Sequence, residues 1–199
     1  MKPRASLVKL AVPFLLGLLG LLGLLTADSF AQTAPEVPLP RQLDPTGFNQ
    51  ILAVVGDDLY IAGQPTADGF HRLSEAGVTT VVNLRTTMEM NNRETVPFDE
   101  AALLKELGIR YVHVPSGGPD TPYSPEMVDA FARSLDEAEG KVLLHCTVAW
   151  RASHLYAAYL TRYRSMALSE AVAHGQAINL GHLPLEGFLG ERLSFEVSD

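Results

Sequence analysis

One cysteine stands where an apolar run gives way to a helical pattern, in the stretch KVLLHCTVAWRASHLY (141–156). Cys146 is the chain's only cysteine, and Arg151 follows five positions later. A loop between a strand and a helix points successive backbone N–H groups inward, and with the helix dipole these groups cradle an anion. The same donors stabilise a thiolate, and a guanidinium at the helix start can bind two oxygens of an oxyanion. This combination suits nucleophilic attack on a phosphorus or sulfur centre.

The sequence leaves other fates open for a lone cysteine. The thiol could be buried and inert, could pair with a second chain, or could be reactive. The spacing to Arg151 favours the reactive interpretation. His145 is expected to brace the loop through hydrogen bonds, and the amides that would hold the anion belong to the four intervening residues, Thr147, Val148, Ala149 and Trp150.

Four short apolar runs are typical of buried strands that could position this loop. They are LYIAGQP (59–65), TTVVNL (79–84), RYVHVP (110–115) and KVLLH (141–145). Helical spacing and start or stop residues predict helices at 66–76, 100–107, from Ser124 onward, 152–163, 167–178 and after Pro184. Strands that alternate with helices predict an α/β fold with a mostly parallel central sheet, flanked by helices on both faces. Ligands bind at the carboxyl ends of such strands, and Cys146 lies at one of them.

Several motifs together carry a family resemblance. The stretches YIAGQPTADGFHRLSEAGVTTVVNLR (60–85) and IRYVHVP (109–115), followed by HC and an arginine, resemble small bacterial phosphatase-like domains of the dual-specificity superfamily, often labelled β-lactamase-hydrolase-like. The resemblance covers about residues 55–180. It implies a cysteine-phosphatase-like fold and hydrolysis of a phosphomonoester through a phosphocysteine. Cys146 would be the nucleophile, Arg151 and the loop would bind the phosphate, and a phosphorylated protein or small molecule would be the substrate, with no cofactor.

The chain departs from the usual phosphatase pattern in three places. Four residues separate Cys146 from Arg151, whereas most tyrosine phosphatases have five, and rhodanese-type sulfurtransferases also have four. Ala149 stands where the bacterial group usually has glycine, so we expect this position to avoid a left-handed backbone. Ala152 stands where a serine or threonine usually follows the arginine. Two alternatives therefore remain: a rhodanese-like sulfurtransferase or persulfide carrier, and a non-catalytic exported phosphate-binding domain.

The general acid is sought among aspartates near the same sheet edge. Asp120 lies in SGGPDTPY (116–123), directly after the strand predicted at 110–115. In phosphatases an aspartate on a separate loop protonates the leaving oxygen, and the resemblance gives this role to Asp120. An ordinary turn aspartate is the rival interpretation. Asp57 and Asp58 are weaker candidates because they precede a strand.

The N-terminus reads as a targeting segment. Basic residues precede the apolar run Leu10–Leu25, and small residues follow it at Ser29 and Ala31. This pattern predicts a signal peptide over 1–31, or else an uncleaved anchor. The predicted protein is periplasmic or secreted, with membrane contact only if the segment is retained. A linker over 32–54, the phosphatase-like domain over 55–180 and a C-terminal helical extension over 181–199 complete the predicted organisation.

Charge and histidine spacing exclude other classes. The net charge of −8 argues against nucleic acid as a partner, so an anionic ligand must be held by local groups. The histidines outside the cysteine stretch have no metal-like spacing, and no metal site is expected. His154 is expected to be an exposed helix residue, and Arg85 to form a structural ion pair close to the site.

Overall fold

The computed structural model describes residues 36–181 and 185–193. Six strands in this part are β1 (Arg41–Gln42), β2 (Leu52–Val55), β3 (Leu59–Ala62), β4 (Val78–Asn83), β5 (Arg110–His113) and β6 (Lys141–His145). They form one sheet in the order β1-β2-β3-β6-β4-β5. Strands β3, β6, β4 and β5 pair in parallel, whereas β1 and β2 are added antiparallel beside β3. The predicted mostly parallel sheet is confirmed.

Helices cover both faces of this sheet. They are α1 (Ala67–Glu75), α2 (Thr87–Asn91), α3 (Glu100–Glu106), α4 (Pro125–Asp136), α5 (Trp150–Tyr163), α6 (Leu168–Gln176) and α7 (Leu185–Leu189). One apolar cluster joins the sheet to α1 and α3, and a larger one joins it to α4, α5, α6 and α7. None of the helices in the described ranges has the length and apolarity needed to cross a bilayer.

Strand β6 shows how the sequence builds two cores at once. Successive side chains of a strand point to opposite faces of the sheet. Val142 and Leu144 pack in the larger cluster, and Leu143 packs in the smaller one. All three are almost fully buried, so the strand is held from both sides. The end of β6, where Cys146 follows, is therefore fixed in position.

The segment 32–54, predicted as a linker, contains two strands of the sheet within its described part. Residues of β1 and β2 belong to the sheet, and Arg41 pairs with Val54. All four residues of β2 are buried. β1 has only two residues and shows no pattern, whereas β2 lies in the apolar run Ile51–Val55, which is a usable signal for a buried strand. Residues 32–35 and the predicted signal peptide over 1–31 lie outside the described residues.

Two further elements differ from the sequence-based expectation. The segment 85–99, for which the sequence predicts no helix or strand, contains the five-residue helix α2, which buries no residue and so has no apolar periodicity. Near the C-terminus, Phe188 of α7 is fully buried in the larger cluster. Within the helical extension predicted over 181–199, helix α7 therefore packs into the core, and residues 182–184 and 194–199 lie outside the described residues.

Candidate active site

Cys146 lies at the carboxyl end of the central strand β6, between β3 and β4. Its N–H donates to the Ala62 carbonyl of β3 at 3.3 Å. The loop after Cys146 is anchored to the segment that follows β3, since the Gln64 N–H donates to the Thr147 carbonyl at 3.0 Å. Gly63 permits close packing on both sides: a Cβ there would lie 3.0 Å from the Thr147 carbonyl oxygen and 1.9 Å from that of Asn49. The predicted strand–loop–helix arrangement is present.

The loop leaves its N–H groups free. In the described part of the chain, no acceptor lies within hydrogen-bond geometry of four of its amides, those of Thr147, Val148, Trp150 and Arg151. The carbonyls of the loop are turned outward instead, and the Asn179 side chain donates to that of Val148 at 2.7 Å. Free amides that precede a helix attract an anion. The backbone therefore offers amide donors at this loop, and their role in binding an anion stays a prediction.

Ala149 contradicts the expectation about its backbone. Its φ is +62° and its ψ is 1°, so it is left-handed despite its side chain. A left-handed conformation costs a non-glycine residue about 1–2 kcal/mol. The Cβ is fully buried in the larger core, and that packing offsets part of the cost. The short loop requires this conformation, and alanine tolerates it here.

Arg151 is almost buried and fully engaged through its two terminal amino groups. Nη1 donates to the carbonyls of Ser116 at 2.8 Å and Leu84 at 3.2 Å, and to Glu89 at 2.9 Å. Nη2 donates to Glu89 at 2.7 Å and to the Thr147 hydroxyl at 3.0 Å. This bidentate pair fixes the plane of the guanidinium. Arg151 is thus oriented by the protein before any ligand binds.

Glu89 is the partner that sequence reasoning missed. Burial would raise the pKa of this carboxyl, but hydrogen bonds from Arg151, the Thr86 N–H and Thr147, with the charge of Arg151, lower the pKa to about 2. It is therefore a carboxylate at neutral pH and cannot act as a general acid. A sequence signal existed: Thr86 and Glu89 form a reciprocal capping box at the start of α2.

The sulfur lies at the inner edge of this arrangement. Cys146 is 1% exposed and belongs to the larger apolar cluster. Arg151 nevertheless does not face away from it. Burial acts to lower the pKa of Arg151, but Glu89 and then the Cys146 charge outweigh burial and raise the pKa. The thiol and the guanidinium are therefore near enough for their charges to interact.

Tyr123 also faces this site, although no sequence pattern singled it out. The pKa of its hydroxyl is raised chiefly by burial, with Cys146 and Glu89 adding to the shift and Arg151 opposing it. Its ring packs against Phe188 at 5.0 Å between centroids. The hydroxyl fits only because residue 117 is glycine: a Cβ there would lie 2.4 Å from it. Tyr123 therefore forms part of the wall near the cysteine.

A buried polar network supports the cysteine from below. His145 Nε2 lies 3.1 Å from Glu100 Oε1, and both side chains are almost completely buried. Asn83 and Gln64 donate to the same carboxylate at 2.8 and 2.7 Å. Burial would raise the pKa of Glu100, but these partners lower it. The hydrogen bond of His145 agrees with its expected bracing role.

Asp120 lies in the loop that follows β5. It is exposed in the tight turn between Gly118 and Thr121. The base of its loop does reach the site, because the Ser116 carbonyl accepts from Arg151. The role of Asp120 as general acid stays a prediction. Asp57 and Asp58 precede β3 and lie at the opposite end of the strands from Cys146, outside the site.

The remaining candidates on α5 are structural. His154 is completely buried, contrary to the exposed position expected for it. Its ring nitrogens lie 2.6 Å from the Trp150 carbonyl and 3.1 Å from the Gly181 carbonyl, and Trp150 packs on the ring. The Ser153 hydroxyl donates to the Trp150 carbonyl at 2.8 Å. These contacts hold the start of α5 and leave anion binding to the loop.

Comparisons with known proteins agree with this geometry. The profile of a family described as "DSP-PTPase phosphatase fused to NAD+ Kinase" matches residues 56–187. A "Beta-lactamase hydrolase-like protein" of Xylella fastidiosa is 32% identical over 129 residues, 64% of this chain and 29% of that protein. Human "Dual specificity protein phosphatase 26" is 29% identical over 145 residues, 69% of this chain and 64% of that protein. The chain thus matches less than a third of the Xylella protein.

Solved structures share the fold. A DUF442 protein of Shewanella putrefaciens has a TM-score of 0.56 and 28% identity, and the match covers 73% of this chain and 91% of that chain. TpbA of P. aeruginosa has a TM-score of 0.54 and 24% identity, covering 69% and 78%. The second likeness speaks for the fold alone.

Proposed function

The chain belongs to the DSP-PTPase family that this profile describes, and from that premise we propose that it hydrolyses phosphomonoesters through Cys146. The observation that carries the proposal is the loop itself. The loop after Cys146 carries four amides without an acceptor among the described residues. At the end of this loop, Glu89 holds the guanidinium of Arg151 in place. Donors fixed in advance stabilise charge in the transition state without reorganisation.

In the proposed reaction the Cys146 thiolate attacks phosphorus, an S–P bond forms and the P–O ester bond breaks. Asp120 gives its proton to the leaving oxygen. Water then attacks the phosphocysteine, Asp120 takes a proton from that water, and inorganic phosphate leaves with the thiolate restored. The loop amides hold the non-bridging phosphate oxygens through both steps, together with the Nε–H of Arg151, which has no acceptor among the described residues.

A phosphorylated protein or small molecule is the proposed substrate class. TpbA has been crystallised with pTyr, and PTPMT1, a further structure with a similar fold, with PI(5)P. Those ligands belong to those proteins. For this chain we propose an aryl phosphate as the first probe, because its product is easily measured.

The direct test is phosphate release from 4-nitrophenyl phosphate by the wild type and by Cys146→Ser. We expect the variant to lose at least about a thousandfold in kcat/KM, as removal of a nucleophile does. Asp58→Asn, at the far end of the strands, serves as the matched control and should retain activity. Equal rates for the wild type and Cys146→Ser would refute the proposal.

Asp120 is tested by the leaving group. With phenyl phosphate, Asp120→Asn should lower kcat about a hundredfold, the lower range for loss of a general acid. With 4-nitrophenyl phosphate the loss should be much smaller, because nitrophenolate leaves without protonation. Equal losses of kcat on both substrates would mean that Asp120 is an ordinary turn residue and not the general acid.

The four-residue spacing also suits a sulfurtransferase, and the family match favours the phosphatase. Thiosulfate-to-cyanide transfer, with mass spectrometry for one added sulfur on Cys146, separates the two. A protein with neither activity that still binds phosphate through Arg151 would correspond to the non-catalytic alternative.

We also propose export, supported by the basic start, the apolar run Leu10–Leu25 and the small residues at Ser29 and Ala31. Expression of the full chain in a bacterium with a periplasm, followed by fractionation, tests it. The mature protein should begin at Gln32. A full-length product that sediments with membranes would support the anchor instead.

A further inference from the structure

A cavity adjoins the cysteine loop on the α1 side of the sheet. Its volume is about 550 Å³. Thr147, which directly follows Cys146, forms part of its wall, together with Arg85 and Gln64. The cavity thus begins one residue from the nucleophile and extends away from it. A substrate held at the loop could place its non-reacting portion there.

Arg85 brings an incompletely paired positive charge to this cavity. The residue is only 3% exposed. Its Nη1 donates to Gln64 Oε1, a neutral amide oxygen, at 2.7 Å. Its Nε is buried and has no hydrogen-bond partner among the described residues. A buried guanidinium normally has most of its five N–H groups satisfied.

The nearest carboxylate does not meet this need. Glu89 Oε1 lies 3.7 Å from Arg85 Nε, beyond hydrogen-bond distance. Both Glu89 oxygens already accept from Arg151, and one of them also accepts from Thr147. The ion pair expected for Arg85 is therefore present but loose. The Arg85 Nε therefore remains a donor without an acceptor among the described residues.

The other walls suit the body of a small organic molecule. Phe48, Phe98, Pro65 and Pro97 provide apolar surface around the cavity. The first turn of α1 also borders it, and that end of a helix favours negative charge. Asp68 opposes this preference but is exposed, whereas Arg85 is buried. Negative charge is therefore best accommodated at the Arg85 end.

We propose that this cavity is an anion subsite for the substrate, so that the preferred substrate is a phosphomonoester carrying a second phosphate. The scissile phosphate binds the cysteine loop, and the second phosphate accepts from the Arg85 guanidinium. The inference rests on the proposed phosphatase function and adds a substrate class to it.

The test compares fructose 1,6-bisphosphate with fructose 6-phosphate through the ratio of their kcat/KM values. A hydrogen-bonded charge pair supports a ratio of about ten in favour of the bisphosphate. Arg85→Met should bring this ratio close to one, and Asp68→Asn should raise it about twofold. A ratio that Arg85→Met leaves unchanged would overturn the subsite.

A second pair of variants avoids the risk that loss of a buried arginine prevents folding. Thr95 lines the cavity and is exposed, so a charge introduced there should be tolerated. Thr95→Glu should lower the bisphosphate ratio and Thr95→Lys should raise it. Identical ratios for the two variants would contradict the proposal even if Arg85→Met cannot be purified.

Binding measurements separate failure of the subsite from failure of the phosphatase function. Pyrophosphate and inorganic phosphate are titrated calorimetrically into the Cys146→Ser protein, with and without Arg85→Met. A pyrophosphate preference that disappears with Arg85→Met supports the subsite, even in a protein without turnover. Turnover of 4-nitrophenyl phosphate without any preference for pyrophosphate would support the phosphatase function and refute the anion subsite.

Discussion

The two ends of the parallel strands each carry charged residues beside a cavity, and the charges are used differently. The charged side chains at the Cys146 end are buried or partly buried and hydrogen-bonded. Arg151 donates to Glu89, and Glu100 is bonded to Gln64 and His145. At the opposite end a cavity of about 390 Å³ is bordered by Asp57 and Asp58, which are exposed. Carboxylates and a cavity occur at both ends. What distinguishes the end near Cys146 is that its charged side chains are buried and hydrogen-bonded.

Tyrosine hydroxyls show the same contrast. Tyr156, at the far cavity, is almost fully buried, and its hydroxyl has no hydrogen-bond partner among the described residues. Burial raises its pKa. Tyr123, at the near end, senses the charges of Arg151, Cys146 and Glu89. The two hydroxyls therefore differ in whether charged side chains lie near them.

The largest effect on activity is expected when one arginine at each end of the strands is replaced by alanine. Arg151→Ala should lower kcat/KM for 4-nitrophenyl phosphate by about a thousandfold, because it removes the guanidinium proposed to hold the phosphate and leaves Glu89 with only the loose ion pair to Arg85. Arg164→Ala, at the far cavity, should leave kcat/KM within about twofold. Comparable losses in the two variants would mean that the near end has no special role.

Glu100 is expected to dominate stability at the near end. Glu100→Ala removes a buried charge with three partners and should destabilise the fold by about 3 kcal/mol in urea unfolding. Asp58→Ala, an exposed carboxylate at the far end, should change the free energy of unfolding by less than about 0.5 kcal/mol. Similar values for the two would show that burial and bonding do not separate these carboxylates.

Glu89 gives a pH signature. Its pKa is lowered from 4.5 to about 2, so its ionised form stabilises the folded protein above pH 4.5. That contribution is lost as pH falls from 4.5 towards 2. The difference in unfolding free energy between wild type and Glu89→Gln should therefore be present at neutral pH and vanish near pH 2. A difference independent of pH would contradict the ion pair with Arg151.

How far the sequence predicted this site depended on the kind of signal. The fold, Cys146, Arg151 and the bracing His145 could be predicted because apolar strands and the strand–loop–helix pattern are local. Glu89 was missed because α2 buries no residue and shows no apolar periodicity, although Thr86-x-x-Glu89 was a usable signal. Glu100 and Gln64 meet His145 only through the tertiary fold, which no spacing along the chain reveals.

The smallest expected effect concerns Ala149. Glycine relieves the left-handed strain of about 1–2 kcal/mol, but it adds backbone entropy and removes a buried methyl of about 0.8 kcal/mol. Ala149→Gly should therefore change the free energy of unfolding by less than about 1 kcal/mol. A loss above 2 kcal/mol in urea unfolding would show that the methyl packing outweighs the strain.

The most direct measurement is to quench the wild-type protein in acid during turnover of an aryl phosphate and to analyse the peptide that contains Cys146 by mass spectrometry. The account predicts that this peptide carries one phosphoryl group on sulfur, and that Cys146→Ser protein, treated in the same way, releases no phosphate. Hydrolysis of the substrate with the phosphoryl group on another residue, or with activity retained in Cys146→Ser, would contradict it.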